Sequence, residues 1–159
     1  MVNILTIEEV RKALYLDFDF DDEELLRYAE LASSYILQKA RYDFTLETTI
    51  NSMAKQCAIL YCKQQYFGSD GYNKEHDYGL GLSSLILDLQ NIAKSKIAAA
   101  AVDVLIDLIP AVESIVLADA ETIQTARDAY DDLFIVDIKY VVGLATLVAA
   151  EAKLVELGG

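Results

Sequence analysis

The stretch DFDFDDEELLRYAELASSYILQKAR, Asp17 to Arg41, decides how the rest of the chain is read. Its first part puts six acidic residues into the eight positions from Asp17 to Glu24. That acid fits a metal loop, an acidic binding patch or the start of a helix. An EF-hand loop opening at Asp17 would carry oxygen ligands at its first, third and fifth positions, and Asp17, Asp19 and Asp21 comply. The sixth position needs Gly and holds Asp22, and the twelfth needs a bidentate Glu and holds Tyr28, so calcium is not expected. A helix start accounts for more of the residues. With Asp21 as N-cap and Glu24 at the third helical position, each side chain satisfies a backbone N–H that the first turn leaves unpaired. Phe20 and Leu25 then form a hydrophobic staple, and the carboxylates complement the positive end of the helix dipole. Leu25, Ala29, Ala32 and Ile36 follow on one face, with Tyr28 and Tyr35 beside it, which predicts an amphipathic helix from about Asp22 to Lys39.

Helical signals continue on both sides. Upstream, Thr6 caps TIEEVRKAL with Glu9 completing a capping box, and Ile7, Val10 and Leu14 stand at helical spacing. Downstream, a third helix is expected from about Thr49 to Phe67 with Ile50, Met53, Cys57, Leu60 and Tyr61 inward, and Ser83 caps a short helix, SSLILDLQ. From Ile97 the chain turns rich in Ala and Val. AAAAVDVLIDLIP ends at Pro110, DAETIQTARDAYDDL starts at Asp119, and DIKYVVGLATLVAAEAKLVEL closes the chain, which predicts three helices with Asp119 and Asp137 as caps. The 159 residues include one Pro, and four of the seven Gly lie between Gly68 and Gly81, so long stretches lack helix breakers and the expected fold is all-α. A hydrophobic fraction of 54% supports one sizeable core or two small ones. The composition shift at Lys94 to Lys96 places a boundary near residue 93, giving domains 1–93 and 94–159.

Charge and single residues exclude several classes of function. The formal charge is −13, divided as −7 over residues 1–93 and −6 over residues 94–159. Gripping DNA or an anionic membrane draws affinity from clustered Lys and Arg, and no such cluster exists, whereas an acidic wall past which DNA slides is compatible. Cys57 and Cys62 stand five apart on a predicted helix, diverge by about 140° and cannot form a disulfide, which fits thiols in a reducing compartment. The N-terminus lacks the pattern of a secretory signal, and the longest charge-free apolar runs, such as Tyr140 to Ala150, are too short to span a bilayer. His76 is the single histidine, with no second His, no Cys at ligand spacing and no Ser elbow. GLGLSS, Gly79 to Ser84, lacks the strand and the Lys of a phosphate loop. Asp103 with Asp107, and Asp128 with Asp131 and Asp132, read as solvated carboxylates on helix faces. No catalytic, cofactor or metal residue is therefore assigned.

The segment GSDGYNKEHDYGLG, Gly68 to Gly81, is too polar and glycine-rich for either regular structure and reads as a 14-residue loop. Gly68, Gly71, Gly79 and Gly81 supply backbone freedom, and Tyr72, His76 and Tyr78 supply amphipathic rings, a composition suited to ordering against a neighbouring subunit. These seven residues are the candidate assembly interface.

Taken in order, LTIEEVRKALYLD, DDEELLRYAELASSYILQKAR, INSMAKQCAILYCKQQYF, a loop and GLSSLILDL resemble the small helical head-tail connector proteins of tailed bacteriophages, over residues 3–92. Members often carry Pro before the third helix and Arg after the last, where this chain has Glu47 to Thr49 and Gln90. The resemblance implies an adaptor in the virion, assembled in the bacterial host cytoplasm. It would form a ring with copies of itself, usually twelve, beneath the portal protein and above a head-closure or tail protein, leaving a channel for DNA without specific binding. The C-terminal part is similar to three-helix modules repeated in Gram-positive surface proteins, through Leu108, Pro110, Ile115, Leu117, Asp119, Ala126, Arg127, Tyr130, Asp131, Leu133, Ala150 and Glu151. That likeness implies packing or adhesion, and with it the alternative of a monomeric binding module acting through residues 94–159.

Overall fold

The computed structural model describes residues 2–16, 20–68 and 78–158. Among these the chain is all-α, with no strand. Six helices follow in order: α1 (Ile7–Ala13), α2 (Asp22–Ala40), α3 (Ser52–Gly68), α4 (Tyr78–Ile106), α5 (Ala120–Asp131) and α6 (Leu144–Glu156). The chain divides into two compact units, Met1–Ala93 and Lys94–Gly159, with α4 contributing its first part to one and its second part to the other.

In the first unit, α1, α2 and α3 pack pairwise on one another. α1 opens on the expected capping box: Glu9 N–H donates to Thr6 Oγ1 (3.2 Å) and Thr6 N–H donates to Glu9 Oε2 (2.9 Å). α2 opens on Asp21, whose Oδ1 accepts from Glu23 N–H at 2.9 Å, a bond to the second helical position instead of the third that a capping box uses. Leu25, Ala29, Ala32 and Ile36 are all buried, as their spacing requires, and Phe20 packs against the same core. α3 begins later than Thr49, because Asn51 caps it by accepting from Met53 N–H (2.9 Å) and Ala54 N–H (3.3 Å). Its buried face is Ala54, Cys57, Ala58 and Cys62, with Met53, Leu60 and Tyr61 at the margin. Small residues there let α2 and α3 approach, and rings line the seam: Tyr35 stacks on Tyr61 at 4.4 Å, while Tyr66 meets Tyr28 edge-on at 6.1 Å.

Two expectations fail at α4. The short helix capped by Ser83 and the helix beginning near Ile97 are one continuous helix of 29 residues, and Ser83 lies inside it. No Pro or Gly stands between Leu82 and Ile109, and Leu82, Ile86, Leu89, Ala93, Ala99, Val102 and Ile106 all find a core to enter, so nothing terminates the helix at Lys94 to Lys96. At its start, Tyr78, Gly79 and Gly81 belong to the helix. The cost of about 1 kcal/mol for each helical Gly is offset by the burial that follows.

The second unit has its own core of Val102, Ile106, Ile109, Ile115, Ile123, Ala126, Leu147 and Ala150. Asp119 precedes α5, but its carboxylate accepts from Val116 N–H (2.9 Å) and makes no cap bond to the helix. Asp137 does not cap the last helix either. It is buried ahead of a short 3-10 turn, Ile138–Tyr140, and α6 begins only at Leu144. In the first unit, Gln90 Nε2 donates to the carbonyl of Lys39 at 2.8 Å, so it closes the C-terminal end of α2 from α4.

Candidate functional site

The structure describes only the margins of the candidate assembly loop. Gly71, Tyr72 and His76 lie outside the described residues, as do Asp17 and Asp19 of the acidic stretch. Gly68 is the last residue of α3, and Tyr78, Gly79 and Gly81 lie in the first turn of α4, so helix reaches into both ends of the segment expected to be a 14-residue loop. Gly81 stands over α3, where an added Cβ would lie 3.8 Å from Leu60 Cδ1, an ordinary contact. Neither Gly68 nor Gly81 is required by close packing.

Polar chemistry in the first unit serves the packing of α1. Lys55 on α3 donates to Glu9 Oε1 at 2.6 Å, and Arg11 pairs with Asp22. Burial alone would raise the Glu9 pKa, but the bond from Lys55 and those from Thr6 outweigh it and hold the carboxyl below the ordinary glutamate value. Ser33 is buried in mid-α2, accepts from Ile4 N–H (2.9 Å) and donates to the Ala29 carbonyl (2.8 Å), tying the N-terminal segment to α2. Cys57 and Cys62 are fully buried. Burial pushes their pKa values up to about 11 and about 12, and Cys62 Sγ faces the Tyr28 carbonyl at 3.7 Å. Thiols held neutral in this way are poor nucleophiles.

In the second unit, Arg127 on α5 grips Glu151 on α6 through two bonds, Nε to Oε1 at 2.5 Å and an Nη to Oε2 at 2.7 Å, and reaches Asp131 at 3.4 Å. The Arg127 hydrogen bonds hold Glu151 below its ordinary pKa against the opposing effect of burial. Asp103 departs furthest from expectation. Instead of lying solvated on a helix face, its carboxylate accepts from Val142 N–H (3.0 and 3.1 Å) and Gly143 N–H (2.8 Å), the orphan donors ahead of α6. A Cβ on Gly143 would lie 2.9 Å from Ile106 Cγ2 and 3.2 Å from Asp103 Oδ1, so only Gly permits this approach. The sequence holds a trace of it: Gly143 stands alone in an apolar run that offers α6 no Ser, Thr, Asp or Asn as cap.

Two cavities among the described residues are small or open. One of about 30 Å³, lined by Val2, Ser33, Leu37, Asp43 and Thr45, has room for about one water. An open cleft of about 300 Å³ lies between the end of α4 and the start of α5, with Leu105 and Leu108 facing Glu121 and Thr125. Among the described residues no group of three or more His, Cys, Asp and Glu side chains is placed to hold a metal ion, and no helix is long and apolar enough to cross a membrane. No family model matches the sequence, no curated protein matches it, and no solved structure matches the fold.

Proposed function

We propose that the chain is a structural adaptor of a tailed-phage virion, a ring-forming protein that sits beneath the portal and leaves a channel for DNA. The observation that carries this reading is the sequence of helices in the first unit. A short helix opened by Thr6 and Glu9, a long one opened by Asp21, and a third carrying Ala58, Ile59 and Leu60 pack pairwise, and α4 closes the end of α2 through Gln90. The connector resemblance has the same order of three helices, while its short last helix corresponds here to the start of the 29-residue α4. Acid spread evenly over both units supports a surface that DNA passes without sticking. Assembly in the host cytoplasm and a place at the head-tail joint of the virion follow from the same reading, as do the portal above and a closure or tail protein below.

The test is assembly on purified portal particles, followed by sedimentation and negative-stain imaging. The adaptor is expected to co-sediment with the portal and add a ring of density at its lower face. A chain that stays at monomer mass and leaves the portal bare at saturating concentration overturns the proposal and favours a monomeric module acting through residues 94–159.

A further inference from the structure

Two helices of the second unit are apolar on faces that their own core does not use. On α4, Ala99, Val102 and Ile106 are buried, yet Ile97, Val104 and Leu108 are 50%, 61% and 66% exposed, with Ala101 exposed between them. Leu108 lies in the turn that ends the helix. On α6, Leu147 and Ala150 are buried, while Val148 and Val155 are 50% and 71% exposed and Ala145 and Ala152 share their face. A helix apolar on both sides belongs in the middle of a bundle, between two partners.

We propose that the exposed face of α4 in one copy of the chain packs against the exposed face of α6 in a second copy. Three observations name the occupant. The first is period: Ile97, Ala101, Val104 and Leu108 are spaced four, three and four apart, and Ala145, Val148, Ala152 and Val155 three, four and three, the spacing of seams between paired helices. The second is size. The α4 face offers Ile, Val and Leu as knobs, and the α6 face sets Ala at every other position, so large meets small when the two faces oppose. The third is charge. Neither seam contains a charged residue, and three of the carboxylates beside them are engaged within the chain: Asp103 by the backbone of Val142 and Gly143, Glu151 by Arg127, and Glu156 by Lys153. In a chain of charge −13, most other approaches of two copies set acid against acid, whereas a basic partner would be drawn to the acidic faces instead.

A contact between two different faces is heterologous, so it propagates from copy to copy and closes into a ring when the rotation allows. The inference deepens the ring reading above, on which that closure rests. Seams about 16 Å long are too small for the roughly 800 Å² per partner of a stable interface, so the contact is weak between two free copies and strong only where many are gathered.

The experiment uses the full chain in two single variants, Val104→Cys and Ala152→Cys, each checked for native helix content. Both positions are exposed, and the native thiols at Cys57 and Cys62 are buried and do not compete. Under mild oxidation, mixing the two variants should give disulfide-linked dimers several-fold faster than either variant alone, and adding Ala101→Glu to the first should abolish the product. Equal rates in the mixture and in the single variants would overturn the inference, as would no linked dimer at the solubility limit. Portal binding measured on the same samples separates the two proposals. Binding without mixed cross-links sinks the α4 to α6 contact alone, and mixed cross-links without binding sink the adaptor reading alone.

Discussion

Ser33 carries more of the first unit than its size implies. It is a polar residue on the buried face of α2, and its hydroxyl is both the acceptor for Ile4 N–H and a donor to the Ala29 carbonyl. Replacing it with Ala leaves the Ile4 N–H buried without that partner, a loss of about 1–3 kcal/mol. Chemical denaturation of Ser33→Ala should show that loss in the midpoint with an unchanged slope. Ser33→Thr, which restores the hydroxyl, should recover part of it unless the added methyl clashes with the core. A Ser33→Ala protein as stable as the parent would mean that the N-terminal segment is held by Ile4 and Leu5 packing alone.

At the scale of elements, the junction between α4 and α6 shows how a helix without a cap residue is started. Gly143 precedes α6 and has no side chain to offer, so the donors of Val142 and Gly143 are satisfied by Asp103 from a different helix. Asp103→Ala should destabilise the second unit by about 0.5–2 kcal/mol, the range for a lost helix cap, and increase hydrogen exchange in the first turn of α6. Gly143→Ala should be at least as costly, because its Cβ meets Ile106 and Asp103 in a site that must shift to admit it. Exchange in that turn unaffected by Asp103→Ala would show that the carboxylate is not its cap.

For the whole molecule, acid acts in two opposing ways. A net charge of −13 repels itself at neutral pH, and lowering the pH relieves that repulsion. Glu9 and Glu151 work against this trend, since each has a pKa depressed in the folded state by its basic partner, Lys55 or Arg127. A depressed carboxylate contributes stability that is fully present above the ordinary glutamate pKa of about 4.3 and is lost as pH falls through the folded value. Both pairs are partly exposed, so each contributes about 1 kcal/mol or less. The difference in melting temperature between the parent and Glu9→Gln should be greatest near pH 7 and close at pH values below the ordinary glutamate pKa. A gap of constant size across that range would show that the Lys55 pair contributes nothing through charge.

The sequence by itself determined the all-α class and the starts of α1 and α2, because caps, staple and periodicity are local and Thr6, Asp21 and the Leu25 to Ile36 face agree with one another. It also placed Cys57 inward on α3. What only the tertiary structure decided involves residues far apart in the chain. The continuity of α4 depends on two cores that bury its successive faces, so Lys94 to Lys96 mark a change of composition and not a helix end. Asp103 looked like any solvated carboxylate until folding brought Val142 and Gly143 to it across some forty residues. Exposure is likewise a property of the fold. The spacing of Ile97, Val104 and Leu108 is as helical as that of Val102 and Ile106, and only the packing of α5 and α6 settles which of the two faces is buried and which is left open.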